Sequence, residues 1–248
     1  MRAVSAVFRI AALAVLLIVG VGMALALSGD VREAVPGRRF RAVRRRWLSW
    51  VVRVIGVRIE RHGKALEEPA LWVANHISWL DIPVIGSLAE VGFLSKAEVA
   101  HWPVIGFLAR RSGTLFIERG RRGAADGAAR LLGAHLRSGH SVLIFPEGRT
   151  TDGRDVRRFH GRLLGPAIEQ DLPIQPVALR YRNDQGERCR ATPFVDDIPL
   201  LTSVWRTLTA KRVVAEIHFL PAVRAADFPS RKALAEALET GVRAVVTR

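Results

Sequence analysis

The stretch LWVANHISWLDIPVIG, residues 71–86, starts apolar and then changes character. Leu71 to Ala74 has no polar face to show water and reads as a strand buried on both sides. Asn75 to Trp79 reads as a polar turn. Asp81 stands where a helix beginning at Ile82 takes its N-cap, and Pro83 is tolerated in that first turn. Strand, turn and helix in immediate succession form the repeating unit of an α/β domain.

His76 and Asp81 lie five residues apart within this unit. On one continuous helix they would stand about 140° apart and could not meet. If His76 precedes the helix, the turn can fold the carboxylate back onto one imidazole nitrogen. That contact fixes the tautomer and raises the basicity of the other nitrogen, which can then deprotonate a hydroxyl. The plainer reading is a polar turn residue followed by an ordinary helix cap. Ser78 is close enough to be considered as a nucleophile, but a hydroxyl on the substrate explains the base equally well.

Outward from this unit, strands and helices alternate. Candidate strands are Val57–Arg61, Ala70–Ala74, Gly92–Lys96, Thr114–Glu118, Ser141–Pro146, Ile174–Arg180 and Val213–Leu220. Candidate helices are Ile82–Leu88, Val104–Arg111, Gly123–Arg137, Arg162–Gln170, Leu200–Thr209 and Arg231–Val246, the last with Ser230 as its N-cap. The fold expected is α/β: a mixed, largely parallel central sheet of about seven strands flanked by helices. A membrane-associated helical segment, residues 1–56, precedes the main domain, residues 57–248. In such sheets function collects in loops at the strand ends.

The formal net charge of +15 favours anionic partners. Residues 31–64 hold eleven Arg and Lys against Glu33 and Glu60. Ile10 to Leu27 carries no charge. A helix that spans or deeply enters a membrane is the favoured reading, since the length reaches the lower limit for spanning. A cleaved signal peptide, with Ala24-Leu25-Ala26 as its small-x-small site, and a buried core helix are the alternatives. Seven arginines lie between residues 28 and 47, which places the bulk of the chain on the cytoplasmic side. Residues 38–56 read as a basic amphipathic helix with Phe40, Val43, Trp47, Trp50, Val51 and Val54 at helical spacing, either a surface helix packed on the domain or one laid on an anionic membrane surface. The basic residues sit beside an apolar segment and are not interleaved with aromatics along a sheet face, which favours lipid over nucleic acid. The single cysteine, Cys189, excludes an internal disulfide framework.

Three further stretches end candidate strands in polar groups. In GTLFIERG, 113–120, Arg119 can aim its planar fork at an anionic group. In VLIFPEGRTTDG, 142–153, Glu147 precedes Gly148, which permits an unusual turn and close backbone approach. There Arg149, Thr150 and backbone N–H groups can bind a phosphate. In SKAEVAHWPVIG, 95–106, Lys96 and Glu98 close another strand. Each has a plain alternative as a solvated strand end. A G-x-S-x-G elbow, a P-loop and a zinc-ligand cluster are absent from the sequence.

Together these blocks resemble the glycerolipid acyltransferase family, whose best-known members are the 1-acyl-sn-glycerol-3-phosphate acyltransferases. The pattern N-H-x-x-x-x-D appears as Asn75-His76 through Asp81, F-I-x-R as Phe116–Arg119, F-P-E-G as Phe145–Gly148, and a proline-bracketed strand as Leu172–Val177. The resemblance implies acyl transfer without an acyl-enzyme: His76, oriented by Asp81, takes the acceptor's hydroxyl proton, and that oxygen attacks the thioester of acyl-CoA or acyl-carrier protein. It implies that Arg119 and Arg149 hold the head group, with backbone N–H groups stabilising the oxyanion and no metal or cofactor beyond the co-substrate. The acceptor implied is 1-acyl-glycerol-3-phosphate, giving phosphatidic acid at a cell membrane. Two departures point to a second acceptor class, a lyso-ornithine lipid. The usual E-G-T-R is here Glu147-Gly148-Arg149-Thr150, and a lysine usual between Phe and Gly is replaced in Phe159-His160-Gly161, beside Arg157, Arg158 and Arg162. A non-enzymatic basic membrane-binding module is the reading of a different class, and it leaves the His76–Asp81 pair idle.

Overall fold

A computed structural model describes residues 2–27, 31–32, 35–118, 123–195 and 198–248. In chain order the elements are α1 (Arg2–Ala26), β1 (Val31–Arg32), β2 (Val35–Pro36), α2 (Arg38–Ile55), β3 (Val57–His62), β4 (Leu71–Ala74), α3 (Asp81–Leu88), β5 (Gly92–Lys96), α4 (Ile105–Arg111), β6 (Leu115–Ile117), α5 (Ala124–Arg137), β7 (Val142–Ile144), α6 (Gly165–Glu169), β8 (Ile174–Arg182), α7 (Leu200–Thr209), β9 (Val213–Phe219) and α8 (Arg231–Val246). Short 3-10 turns at Ala97–His101, Gly161–Leu164 and Ala225–Asp227 join them.

Seven strands form one sheet in the order β3-β9-β8-β4-β7-β5-β6. Every pairing in it is parallel except β8 with β9. The carboxyl ends of β4, β7 and β5 therefore share one edge of the sheet. The central strands β4 and β7 are apolar throughout because both faces are covered. In β4, Trp72 and Ala74 enter one buried cluster and Leu71 and Val73 the other. The first cluster is closed by α2, α3 and α7, the second by α5, α6 and α8. Ser230 caps α8 as expected, its hydroxyl accepting the Ala233 N–H at 3.1 Å.

Helix α2 corrects the sequence reading. Its buried stripe is Phe40, Arg44, Leu48, Val52 and Ile55, rotated from the one expected. A second, half-buried stripe meets α1: the Trp47 indole N–H donates to the Leu16 carbonyl at 2.8 Å. Gly20 makes the approach possible, since a Cβ there would stand 2.8 Å from the Trp47 ring. The helix thus has two apolar faces, and a charged residue stands in the principal one. Buried Arg44 donates to the carbonyls of Ser112 at 2.7 Å and Val91 at 2.9 Å.

Helix α1 lies against α2, α7 and α4. Its apolar window, Val4–Ala26, is long enough to cross a membrane and only 11% buried, which removes the buried-core reading. The Arg9 guanidinium reaches the carbonyls of Ile55, at the end of α2, and Leu208, near the end of α7.

Candidate active site

The chain leaves β4 at Ala74 and is pinned at once. The buried Asn75 amide donates to the Leu179 carbonyl at 3.0 Å and accepts the Leu179 N–H at 2.8 Å, tying the turn to β8. His76 then lies before α3 begins, the geometry that the pair requires. Its Nδ1 stands 2.6 Å from Asp81 Oδ2.

Asp81 is the first residue of α3 and does not cap it; the N-cap position belongs to Leu80. Its carboxylate reaches back over the turn. Oδ2 also accepts the N–H groups of Ile77 at 2.8 Å and Ser78 at 3.0 Å, and Oδ1 accepts the Tyr181 hydroxyl at 2.7 Å. A carboxylate with no exposed surface is costly unless it is hydrogen-bonded, and these four partners supply the bonds. Burial, then the charge of Asp81 and the bond to it, push the Tyr181 hydroxyl well above its ordinary range, so it remains a donor. Ser78 is fully buried, which removes it as a nucleophile toward a substrate from outside.

The turn after β7 supplies the second wall. The Phe145 ring stacks on the His76 imidazole. Gly148, at φ +73°, closes the turn with its N–H on the Phe145 carbonyl at 3.1 Å. The Glu147 carboxylate points inward: it accepts the His76 N–H at 2.6 Å and the Arg157 N–H at 2.7 Å. Burial raises its pKa to about 7 against the opposing pull of those two bonds. Glu147, which the family resemblance placed in a substrate-binding block, here ties the turn after β7 to the His76 backbone.

A third loop joins these two. The Thr151 N–H donates to the His76 carbonyl at 2.8 Å, the Phe194 N–H to the Ile77 carbonyl at 2.9 Å, and the Thr150 hydroxyl to the Phe194 carbonyl. Thr150 thus laces loops together. Arg149 is exposed at the tip of its turn, and Lys96 is exposed at the end of β5, separated from β4 by β7. Arg162 pairs with Asp126 at 3.6 Å on the surface. Arg119 lies outside the described residues.

The N–H groups of His76, Ile77 and Ser78 are all spent on carboxylates, so these three are excluded as oxyanion donors. Sequence reasoning missed Tyr181. It is the only tyrosine in the sequence and stands on β8 between Arg180 and Arg182, so alternation along the strand, which turns it to the face opposite both, is the signal that could have singled it out.

A histidine held by a buried carboxylate thus stands at the carboxyl end of β4, between its parallel neighbours β7 and β8. The family profile described as Acyltransferase matches residues 52–180, more than half of the sequence, and the chain belongs to that family. It is similar to the lyso-ornithine lipid O-acyltransferase of Pseudomonas aeruginosa, 42% identical over 211 residues, covering 82% of this chain and 80% of that protein. It is also similar to the 1-acyl-sn-glycerol-3-phosphate acyltransferase of Neisseria gonorrhoeae, 34% identical over 192 residues, covering 77% of this chain and 75% of that protein. Its fold matches the crystal structure of the 1-acyl-sn-glycerophosphate acyltransferase from Thermotoga maritima with a TM-score of 0.72 at 21% identity, over 99% of this chain and 96% of that one.

Proposed function

We propose that this chain moves a fatty acyl group from a thioester donor, acyl-CoA or acyl-carrier protein, to the free hydroxyl of a lyso-lipid, with His76 as general base. The observation that carries the reading is the 2.6 Å contact of His76 Nδ1 with the fully buried Asp81 carboxylate. The buried Asp81 carboxylate accepts the proton on Nδ1, which leaves the Nε2 lone pair for the substrate. Nε2 takes the hydroxyl proton as the oxygen attacks the thioester carbon. The tetrahedral intermediate collapses with cleavage of the C–S bond, and the imidazolium returns the proton to the departing thiolate. Asp81 stabilises the imidazolium meanwhile. General-base help of this kind is worth roughly 10²–10⁴ in rate.

The proposed acceptor is a lyso-ornithine lipid. The relative bearing that activity is 42% identical, against 34% for the glycerol-phosphate enzyme, and the Glu147-Gly148-Arg149-Thr150 order departs from the glycerol-phosphate pattern. The second reading, acylation of 1-acyl-glycerol-3-phosphate, is favoured by the +15 charge and by that 34% relative. The exposed apolar residues of α1, together with Leu201 and Trp205 on the adjoining α7, suit entry into the cytoplasmic leaflet, where the acceptor reaches the site sideways.

Purified enzyme in liposomes, labelled acyl donors and a panel of lyso-lipids test both levels. Transfer to lyso-ornithine lipid and its loss in His76→Ala are expected. Full activity of His76→Ala removes the mechanism, and transfer to lysophosphatidate alone removes the proposed acceptor.

A further inference from the structure

A cavity of about 220 Å³ opens beside the turn that carries the base, and nothing in the proposed chemistry uses it. It is lined by Ile77, which directly follows His76, by the loop at Asp152–Arg154, by the end of β8 and by Arg188. Four arginines surround it. Arg180 and Arg182 share Glu216 at 3.3 and 3.1 Å, while Arg154 and Arg188 share Asp152 at 3.1 and 3.4 Å. Two carboxylates among four guanidiniums leave this cluster net positive. Arg248 also lines the cavity.

Three of the four are well covered: the side chains of Arg180, Arg182 and Arg188 are 12%, 25% and 28% exposed. Partly desolvated like charges repel, and an anion in their midst offsets that cost. Guanidinium forks match phosphate oxygens in pairs, which makes a phosphate group a better fit than a lone halide.

We propose that this cavity is a phosphate subsite for the thioester donor, and this rests on the acyl-transfer reading above. Both carriers attach the acyl group to a pantetheine arm whose far end is a phosphate ester. The reacting carbon must reach His76, so the phosphate must be held beside the reaction centre and not within it. A basic cavity whose rim includes the neighbour of the base meets that demand. The carrier, CoA or carrier protein, is distinguished by the test.

The test uses the full chain in detergent with three donors of one acyl length: acyl-CoA, acyl-carrier protein and acyl-pantetheine, which has no phosphate. Arg182→Gln/Arg188→Gln is expected to raise KM for the phosphate-bearing donors roughly tenfold relative to acyl-pantetheine, the size of one lost charge-assisted hydrogen bond. A rise for acyl-CoA alone assigns the site to CoA. An equal rise for all three donors, or a rise only in KM for the lipid acceptor, overturns the proposal. Arg154→Gln alters the most exposed of the four and serves if the double variant does not fold. Calorimetric binding of free CoA and of 4′-phosphopantetheine to the enzyme gives a readout independent of turnover. Weakened binding of either in Arg154→Gln supports the subsite, and unchanged binding of both overturns it. A wild-type enzyme that transfers from none of the three donors defeats the acyl-transfer reading instead, and calorimetry still reports on the cavity.

Discussion

The imidazole of His76 lies nearly flat on the ring of Phe145, with 3.9 Å between centroids and 14° between planes. Asp81 fixes one edge of the imidazole and Phe145 fixes its plane, so the start of α3 and the turn after β7 jointly orient Nε2. Phe145→Leu keeps apolar volume but removes the flat face. Its kcat is expected to fall roughly ten- to a hundredfold, as a misaimed base does. Steady-state kinetics beside a melting curve check this, and an unchanged kcat contradicts it.

His76→Ala is expected to lose roughly 10²–10⁴ in kcat. Asp81→Asn should lose a similar amount, because an amide can hold the wrong tautomer. Tyr181→Phe removes one of four bonds to Asp81 and should cost far less in rate while lowering stability by about 1.5–3 kcal/mol. The ranking of the three in one assay is the check; Tyr181→Phe matching His76→Ala contradicts it.

Glu147 has a folded pKa of about 7, above its ordinary 4.5, because burial disfavours its charge. The folded state therefore binds its proton more tightly than the unfolded chain does. The stability this supplies is fully present below pH 4.5 and lost as pH rises to about 7. His135 has the opposite sign: burial lowers its pKa to about 4, so its contribution fades as pH falls from 6.5. Comparing wild type with Glu147→Gln isolates the first effect. The wild type should lose melting temperature relative to the variant between pH 4.5 and 7, and parallel profiles contradict the assignment.

Arg44 holds the buried Val91 carbonyl and the half-buried Ser112 carbonyl, which its removal would leave without this donor. Arg44→Met preserves the apolar stem and is expected to destabilise by roughly 1–3 kcal/mol per orphaned carbonyl. Denaturant unfolding measures it, and a neutral outcome contradicts the clamp.

Gly20→Val places methyl groups inside the space of the Trp47 ring. Overpacking of this size costs about 1–3 kcal/mol, and α1 should part from α2 before the sheet melts. Proteolysis of the segment between the two helices, compared with global unfolding, reports the order of events.

Most of the fold was legible because its signals are local. An apolar run in β4, a turn and the helix after it need no distant partner to be recognised, and the Ser230 cap is a property of four adjacent residues. What failed depends on contacts far apart in sequence. The stripe of α2 was misphased because Arg44 is buried only where the Val91 and Ser112 carbonyls await it. The direction of the Asp81 carboxylate is set by Tyr181, one hundred residues on. The pairing of His76 with Asp81 was readable from spacing plus the break before the helix. The inward turn of Glu147 was not, since it depends on the sheet placing β7 beside β4.

The bridge from Arg9 to the ends of α2 and α7 has a mechanical consequence. One guanidinium bolts the first helix to two others, so α1 is a keel and not a tether. The height of the His76 imidazole above any surface on which α1 rests is then a fixed dimension of the molecule. Under the proposed function, a lipid hydroxyl must rise to that height to react, and the depth at which it sits along its own lipid becomes a criterion of selection.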